Sequence, residues 1–240
     1  MKKTLYIVIP CYNEEEVLPV TLPLFLGTLE AMIHEGLVSD ESRILYVDDG
    51  STDTTWERIA SFTKAYALIL GLQLDHNCGH QTALWSGLME AKEKADMTIT
   101  IDCDGQDDIG AMKKMVEAFH QGNEVVYGVR CDRSSDSFLK RTSAQIFYKL
   151  MNLLGAELVY NHADYRLLST RVIRELEMYK VKELFLRGMV PRVNAKSAIV
   201  YYVRTERMAG ETKYSFRKMM GLARRGICSY YFISNENKKR

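Results

Sequence analysis

Short apolar runs alternate with helix-length amphipathic segments over the first 130 residues of this 240-residue chain. The alternation predicts strands at residues 5–9, 42–47, 67–74, 97–101 and 124–127, separated by helices at residues 17–35, 54–64, 81–94 and 109–120. Because parallel strands need helical crossovers, this order predicts a mostly parallel α/β sheet with helices on both faces. Ligands bind such sheets at the carboxyl ends of the strands, so the segments after the strands should carry the chemistry.

The pattern loosens after Arg130, where the polar and turn-rich residues 132–137 predict a loop. Helices are expected at residues 138–154, 170–179 and 214–232, with a strand at residues 197–203. Neither a repeat nor a linker divides the chain. We therefore expect one Rossmann-like domain over residues 1–203 and a C-terminal extension over residues 204–240.

Composition narrows the class of protein. Hydrophobic residues make up 47% and charged residues 26%, which is typical of a soluble globular chain. A formal net charge of +1 argues against a nucleic-acid partner, because phosphate contacts need a cationic surplus. The five cysteines are scattered without a Cys-x-x-Cys pair, which favours reduced thiols in a cytosolic setting. The apolar runs are too short for a membrane span, so the chain itself is expected to be soluble or peripheral.

The charge is unevenly distributed along the chain. Residues 204–240 carry ten basic and three acidic side chains, whereas the preceding residues carry 22 basic and 28 acidic ones. Apolar residues recur at helical spacing between residues 214 and 232, with Arg217, Lys218, Arg224 and Arg225 among them. This pattern predicts a basic amphipathic helix in a membrane interface. A helix packed on the domain with its charges in water is the alternative.

Oxygen-bearing side chains cluster directly after the predicted strand at residues 97–101. Side chains two apart share a face of an extended segment, so Asp102, Asp104 and Gln106 could converge on Mg²⁺ or Mn²⁺. An isolated Asp-x-Asp is explained equally well by a turn, but the other polar strand ends favour the metal. After the second strand, Asp48 or Asp49 could accept from a nucleobase, and residues 51–53 could cap the next helix.

Seven motifs follow one another in order, at residues 9–15, 47–53, 77–81, 102–107, 128–130, 164–168 and 207–214. Together they resemble the inverting family 2 glycosyltransferases of GT-A fold. Within that family the chain is most similar to the polyprenyl-phosphate branch, typified by dolichol-phosphate mannose synthase and bacterial undecaprenyl-phosphate sugar transferases. Two positions depart from the family pattern, with His76 where an arginine is common and Thr212 where a serine is common.

The resemblance implies a role for each matching residue. Asp102, Asp104, Arg130 and Asp164 would form the catalytic centre, and Asp102, Asp104 and Gln106 would hold Mg²⁺ or Mn²⁺ on the donor diphosphate. The acceptor phosphate would bind Arg130, Arg141 and Ser143, and Asp164 and Arg166 would lie on the sugar side. The donor would be bound by Pro10, Tyr12, Glu14 and Asp49 at the nucleoside and by Arg207 and Lys213 at the diphosphate.

The implied reaction is transfer of a sugar, from UDP-glucose or UDP-N-acetylglucosamine, to undecaprenyl phosphate at the cytoplasmic membrane face. A lipid phosphate is already anionic, so no general base is obligatory, and cations suffice to place it in line. One alternative is a glycan or protein hydroxyl acceptor with Asp164 as the base. Another is a nucleotide-sugar-binding module without catalysis.

The sequence allows more than one mode of membrane attachment and more than one oligomeric state. The chain is interpreted as a truncated membrane-anchored enzyme or a naturally peripheral one, and a homo-oligomer is compatible with the sequence. His34, His120 and His162 lack the spacing of a zinc site and are expected to have surface or structural roles. His80 is the exception, because it follows a strand end.

Overall fold

The computed structural model describes residues 2–131, 162–179 and 184–207 of the chain. The strands in these ranges are β1 Leu5–Cys11, β2 Arg43–Asp48, β3 Ile69–Gln73, β4 Met97–Thr100, β5 Val125–Arg130, β6 His162–Ser169 and β7 Ser197–Tyr202. The helices are α1 Leu18–His34, α2 Thr55–Ala65, α3 His80–Ala91, α4 Ala111–His120, α5 Thr170–Glu177 and α6 Leu186–Met189, the last leading into a 3₁₀ turn at Val190–Arg192. The helices expected at residues 138–154 and 214–232 lie outside the described residues.

The strands form one sheet in the order β3-β2-β1-β4-β6-β5-β7. Strand β1 pairs in parallel with both β2 and β4, β2 pairs in parallel with β3, and β5 pairs in parallel with β7. Strand β6 alone among them runs antiparallel, between β4 and β5. The mostly parallel α/β sheet expected from the sequence is confirmed.

Strand β6 and helix α6 were not predicted from the sequence. The strand places Asp164 and Arg166 inside the sheet, where both side chains are buried. Two charged residues in a strand ordinarily indicate an exposed segment, but here the Arg166 guanidinium donates to the Asp164 carboxylate and each offsets the other's charge. Helix α6 has only four residues, too few for a periodic pattern to be visible in the sequence.

Alternate side chains of the strands are buried on the two faces of the sheet. One face packs against α1 and α4 through residues such as Ile7 and Ile99. On the other face, Val8 and Val47 lie under α3, while the β5 side of that face packs against α5 and α6. Both faces are therefore covered by helices, as parallel sheets require.

Gly87 allows α3 to lie close to the sheet. A Cβ atom at this position would stand 2.3 Å from Cγ1 of Val8 and 2.9 Å from Cγ2 of Val47. We expect Gly87→Ala to lower the free energy of unfolding by about 1–3 kcal/mol, because overpacking of a fixed interface outweighs the gain in helix propensity. Urea denaturation followed by circular dichroism measures the change.

The matched control is Gly27→Ala in α1. A Cβ at Gly27 meets no atom of the described residues within 4 Å, so this substitution should be neutral or stabilise the protein by up to about 1 kcal/mol. Equal stability of the two alanine variants would contradict close packing of α3 on β1.

Candidate active site

The loops after β1 and β2 are fastened to each other by side-chain hydrogen bonds. Asn13, which has a positive φ of 53°, donates its backbone N–H to Oγ of Ser51 at 2.9 Å. Its side-chain oxygen accepts the backbone N–H of Thr52 at 2.7 Å. Ser51 and Thr52 thus join the two loops, while Asp53 accepts the N–H of Thr55 at the start of α2. Of the three residues proposed as helix caps, only Asp53 makes that contact.

Asp49 joins the loops after β2 and β3. Its carboxylate is 3% exposed and accepts the backbone N–H of Cys78 at 2.8 Å and that of Gly79 at 3.0 Å. Burial raises the pKa of Asp49, and these two amides oppose that shift. Asp49 therefore holds the strand-end loops together in this structure, and its contact with a nucleobase stays a prediction.

The acidic loop after β4, residues 102–107, carries a concentration of negative charge. Burial raises the pKa of Asp102 to about 6; His80 opposes this shift, while the carboxylates of Asp107, Asp104 and Asp164 add to it. Among the residues that the structure describes, no three His, Cys, Asp or Glu side chains already converge as a metal-binding group. A divalent cation would nevertheless relieve the repulsion that these carboxylates exert on Asp102, so the donor set fits a hard cation.

The segment after β7, residues 203–207, crosses the acidic loop. The backbone N–H of Thr205 donates to the carbonyl of Gln106 at 2.9 Å. Farther along the segment, Arg207 donates to the carboxylate of Glu14, and its Nη1 lies 3.8 Å from Oδ2 of Asp104. Arg207 thus connects the loop after β1 with the acidic loop, which are two of the places where the sequence predicts donor binding.

Asp164 lies at the centre of a second charged cluster. Arg187 donates to both carboxylate oxygens, with Nε at 3.2 Å and Nη2 at 2.9 Å, and Arg166 donates from within the same strand. Gln81 adds an amide donor at 3.2 Å, and Nε2 of His80 lies 3.5 Å from Asp164. Burial would raise the pKa of Asp164, but Arg187, His80 and Arg166 together hold it well below its usual range.

Arg130 at the end of β5 is held by a buried acid and a tyrosine. Asp107 is 2% exposed and accepts from the hydroxyl of Tyr202 at 2.7 Å and from Nη2 of Arg130 at 3.3 Å. Nε of Arg130 also donates to the Tyr202 oxygen at 3.2 Å. The register that pairs Arg130 with Tyr202 across β5 and β7 brings these groups together.

A protein-family model described as glycosyl transferase family 2 matches residues 6–177 of the chain, which is well over half of its length. The chain belongs to glycosyl transferase family 2. Its relatives agree: it is 49% identical to the uncharacterized glycosyltransferase YkoT of Bacillus subtilis (strain 168), over 94% of this chain and 67% of that protein. It is 36% identical to a prophage bactoprenol glucosyl transferase homolog of Escherichia coli (strain K12), over 93% of this chain and 71% of the relative.

A bactoprenol glucosyl transferase of Shigella phage SfX is 35% identical over 93% of this chain and 71% of the relative. Among solved structures, glucosyl-3-phosphoglycerate synthase from Mycobacterium tuberculosis is similar with a TM-score of 0.59 and 16% identity, over 96% of this chain and 80% of the other. S. aureus TarS 1-349 in complex with UDP-GlcNAc has a TM-score of 0.55 and 18% identity, over 93% and 66% of the two chains. At these identities the solved structures establish only the fold, which is GT-A.

In this family 2 glycosyltransferase, the structure brings some of the predicted residues together in two clusters. Glu14, Arg207 and Asp104 lie together, as do Asp102 and Asp164 through His80, whose Nε2 is 3.6 Å from Asp102. Pro10 belongs to β1, where it pairs with Val47, and Tyr12 follows in the adjoining loop. Asp49, Gln106 and Arg130 make the contacts of the strand-end loops. Arg141, Ser143 and Lys213 lie outside the described residues.

Three contributors to the site were missed from the sequence. Arg187 stands in the apolar segment 184–190 and gives no signal beyond being its one charged residue. Asp107 belongs to the motif at residues 102–107, but its position there predicts no role. Tyr202 shows only the pattern of the strand predicted at residues 197–203. These residues act through contacts between distant parts of the chain, which spacing in the sequence does not show.

Proposed function

We propose that this chain transfers a sugar from a nucleoside diphosphate donor to a polyprenyl phosphate, with inversion at the anomeric carbon. The observation that carries the proposal is the placement of two arginines beside different carboxylates of the acidic loop. Arg207 lies beside Glu14 and Asp104, whereas Arg130 lies beside Asp107. A reaction between a diphosphate and a phosphate monoester needs two such cationic sites.

The donor site combines the loops after β1, β2 and β4. Asp102 and Asp104 would hold Mg²⁺ or Mn²⁺, with Gln106 as a third ligand, and the ion would stabilise charge on the departing diphosphate. A mannosyltransferase of similar fold, PcManGT from Pyrobaculum calidifontis, is known in complex with GDP-Man and Mn²⁺. Arg207 would bind the diphosphate as a charge-assisted donor, together with Lys213. Pro10, Tyr12, Glu14 and Asp49 would surround the nucleoside.

The acceptor is proposed to be a lipid phosphate, bound by Arg130 with Arg141 and Ser143. Relatives named bactoprenol glucosyl transferases support this class of acceptor and favour UDP-glucose over UDP-N-acetylglucosamine as donor. A hydroxyl acceptor would require a general base, and Asp164 is poorly suited because Arg166, Arg187 and Gln81 occupy its oxygens. The lowered pKa of Asp164 also argues against a general base, because a carboxylate that is a weak base accepts a proton poorly.

The site of action is proposed to be the cytoplasmic membrane surface, reached through the basic residues 214–232. Charge supports this placement, since these residues carry the excess that anionic headgroups attract. None of the helices in residues 2–131, 162–179 and 184–207 offers the long apolar stretch that crossing a bilayer requires.

The test is an acceptor and donor panel. The chain is incubated with Mn²⁺ and UDP-glucose, UDP-N-acetylglucosamine or GDP-mannose, in the presence of detergent-dispersed undecaprenyl phosphate. We expect a lipid-linked sugar with UDP-glucose, and its loss when EDTA removes the cation. Transfer to glycan or peptide hydroxyls in preference to the lipid would favour the alternative acceptor. UDP binding by calorimetry without a product from any donor would favour a binding module.

A further inference from the structure

The buried carboxylate of Asp107 is approached by a second arginine besides Arg130. Nε of Arg204, in the segment 203–207, lies 3.9 Å from the same Oδ1 that accepts from Arg130 and Tyr202. Two guanidinium groups thus meet one carboxylate. Arg130 and Arg204 retain 20% and 32% of their side-chain exposure, so both guanidinium groups are partly open to a ligand.

The hydrogen bonds of Arg204 are incomplete. Its Nη2 donates to Oε1 of Gln106 at 2.5 Å, which anchors the guanidinium. Within the described part of the chain, its Nε is buried and has no hydrogen-bond partner. The carboxylate oxygen beside Nε, Oδ1 of Asp107 at 3.9 Å, is too far for a hydrogen bond, while the exposed 32% of the side chain can meet a tetrahedral dianion beside Arg130.

The two arginines of the segment 203–207 contact different residues. Arg207 is directed to Glu14 and Asp104 on the donor side. Arg204 is directed to Gln106 and Asp107, on the side of Arg130. The backbone bond from Thr205 to Gln106 fixes the segment between these positions.

We infer that Arg204 binds the phosphate monoester of the acceptor together with Arg130, rather than the diphosphate of the donor. This assignment rests on the proposed function and adds a residue to its acceptor site. Asp107 and Tyr202 would orient Arg130, while Gln106 orients Arg204, so that both planar donor groups face one phosphate. Gln106 thereby connects Arg204 to the proposed cation site, because the Oε1 that accepts from Arg204 is also the oxygen that would bind Mg²⁺ or Mn²⁺.

The experiment measures steady-state kinetics of the 240-residue chain with undecaprenyl phosphate and UDP-glucose, for the wild type and Arg204→Met. We expect the KM for the lipid phosphate to rise about 10- to 100-fold, as loss of a charge-assisted hydrogen bond predicts. The KM for UDP-glucose should stay within about twofold of the wild type, since Arg207 is untouched. Arg204→Lys, which keeps the charge without the planar donor pair, should give an intermediate KM for the lipid.

The control is Arg174→Met. Arg174 is an exposed residue of α5 that makes an ion pair with Glu93, and its replacement should leave both KM values unchanged. A raised KM for UDP-glucose with an unchanged KM for the lipid would overturn the inference and assign Arg204 to the donor. A fall in kcat alone would overturn it as well. If the melting temperature of Arg204→Met falls well below that of Arg174→Met, Arg204→Lys replaces it in the test. The KM values of Arg204→Lys for the lipid and for UDP-glucose then decide between acceptor and donor binding.

Calorimetry with a short prenyl phosphate, in the absence of donor, separates this inference from the proposed function. Loss of binding in Arg204→Met but not in Arg174→Met would support the assignment even if the wild type transferred no sugar to lipid. Equal binding by both variants would overturn it, whatever the outcome of the turnover assay.

Discussion

Replacing Asp104 by asparagine is expected to lower kcat about a thousandfold while the protein keeps its fold. The acidic loop loses one of the charges that would hold the divalent cation, and Arg207 loses a nearby carboxylate. The loop itself should survive, because an asparagine oxygen can still accept the backbone N–H of Gln106 that Oδ1 of Asp104 accepts at 3.0 Å. Turnover is measured at saturating UDP-glucose and undecaprenyl phosphate with Mn²⁺, and the fold by thermal melting.

The residue that follows the acidic loop supplies a matched control, four positions after Asp104. Asp108 is exposed, and its Oδ1 accepts the backbone N–H of Gly110 at 2.9 Å, the same local bond that Asp104 makes with Gln106. Asp108→Asn therefore repeats the chemical change without touching the proposed cation site, and kcat should hold within about twofold. Full turnover by Asp104→Asn would remove Asp104 from the site.

Replacing Arg166 by methionine should cost about 3 kcal/mol of the free energy of unfolding. Arg166 is 1% exposed and Asp164 6%, so the substitution leaves a buried carboxylate short of one charged partner. Arg187 and His80 remain beside Asp164, which places the expected loss at the lower end of the range for broken buried pairs. For a chain of this length the melting temperature should fall by roughly 6–12 °C. Urea denaturation measures the free energy directly.

Arg174→Met is the comparison for this second substitution. Arg174 makes an ion pair with Glu93 in which both side chains are more than half exposed. Such surface pairs contribute little, so its loss should change the free energy of unfolding by no more than about 0.5 kcal/mol. Similar losses in the two methionine variants would mean that Arg166 does not stabilise Asp164.

The fold was predictable from the sequence where one physical rule governs each element. Strands β1 to β5 and helices α1 to α4 follow from apolar periodicity, because each buries one side against the sheet. Strand β6 could not be predicted from the sequence, because the charge of Asp164 is neutralised partly by Arg187, a residue 23 positions away. Without knowledge of that partner, a charged strand in the middle of a sheet looks like an exposed loop.

The proximity of some candidate site residues was also predictable. Acidic residues at a strand end can be found by their position, and Asp104 and Arg207 do lie on the same side of the acidic loop. The cluster around Asp107 could not be found this way, since it depends on the register that pairs Arg130 with Tyr202. Register is set by packing between strands more than 70 residues apart in the chain.

The position of β6 in the sheet has a consequence for synthesis on the ribosome. In the described sheet, β4 and β5 are joined through β6, and β5 pairs otherwise with β7. Residues 2–131 can therefore provide the four-stranded parallel half, β3-β2-β1-β4. Strand β5 cannot join the sheet until β6 and β7 have been synthesised. The emerging polypeptide acquires the anchorage for Arg130 only after residue 202 has left the exit tunnel, and Arg207 emerges later still, so the four-stranded half of the sheet forms before the contacts of either arginine.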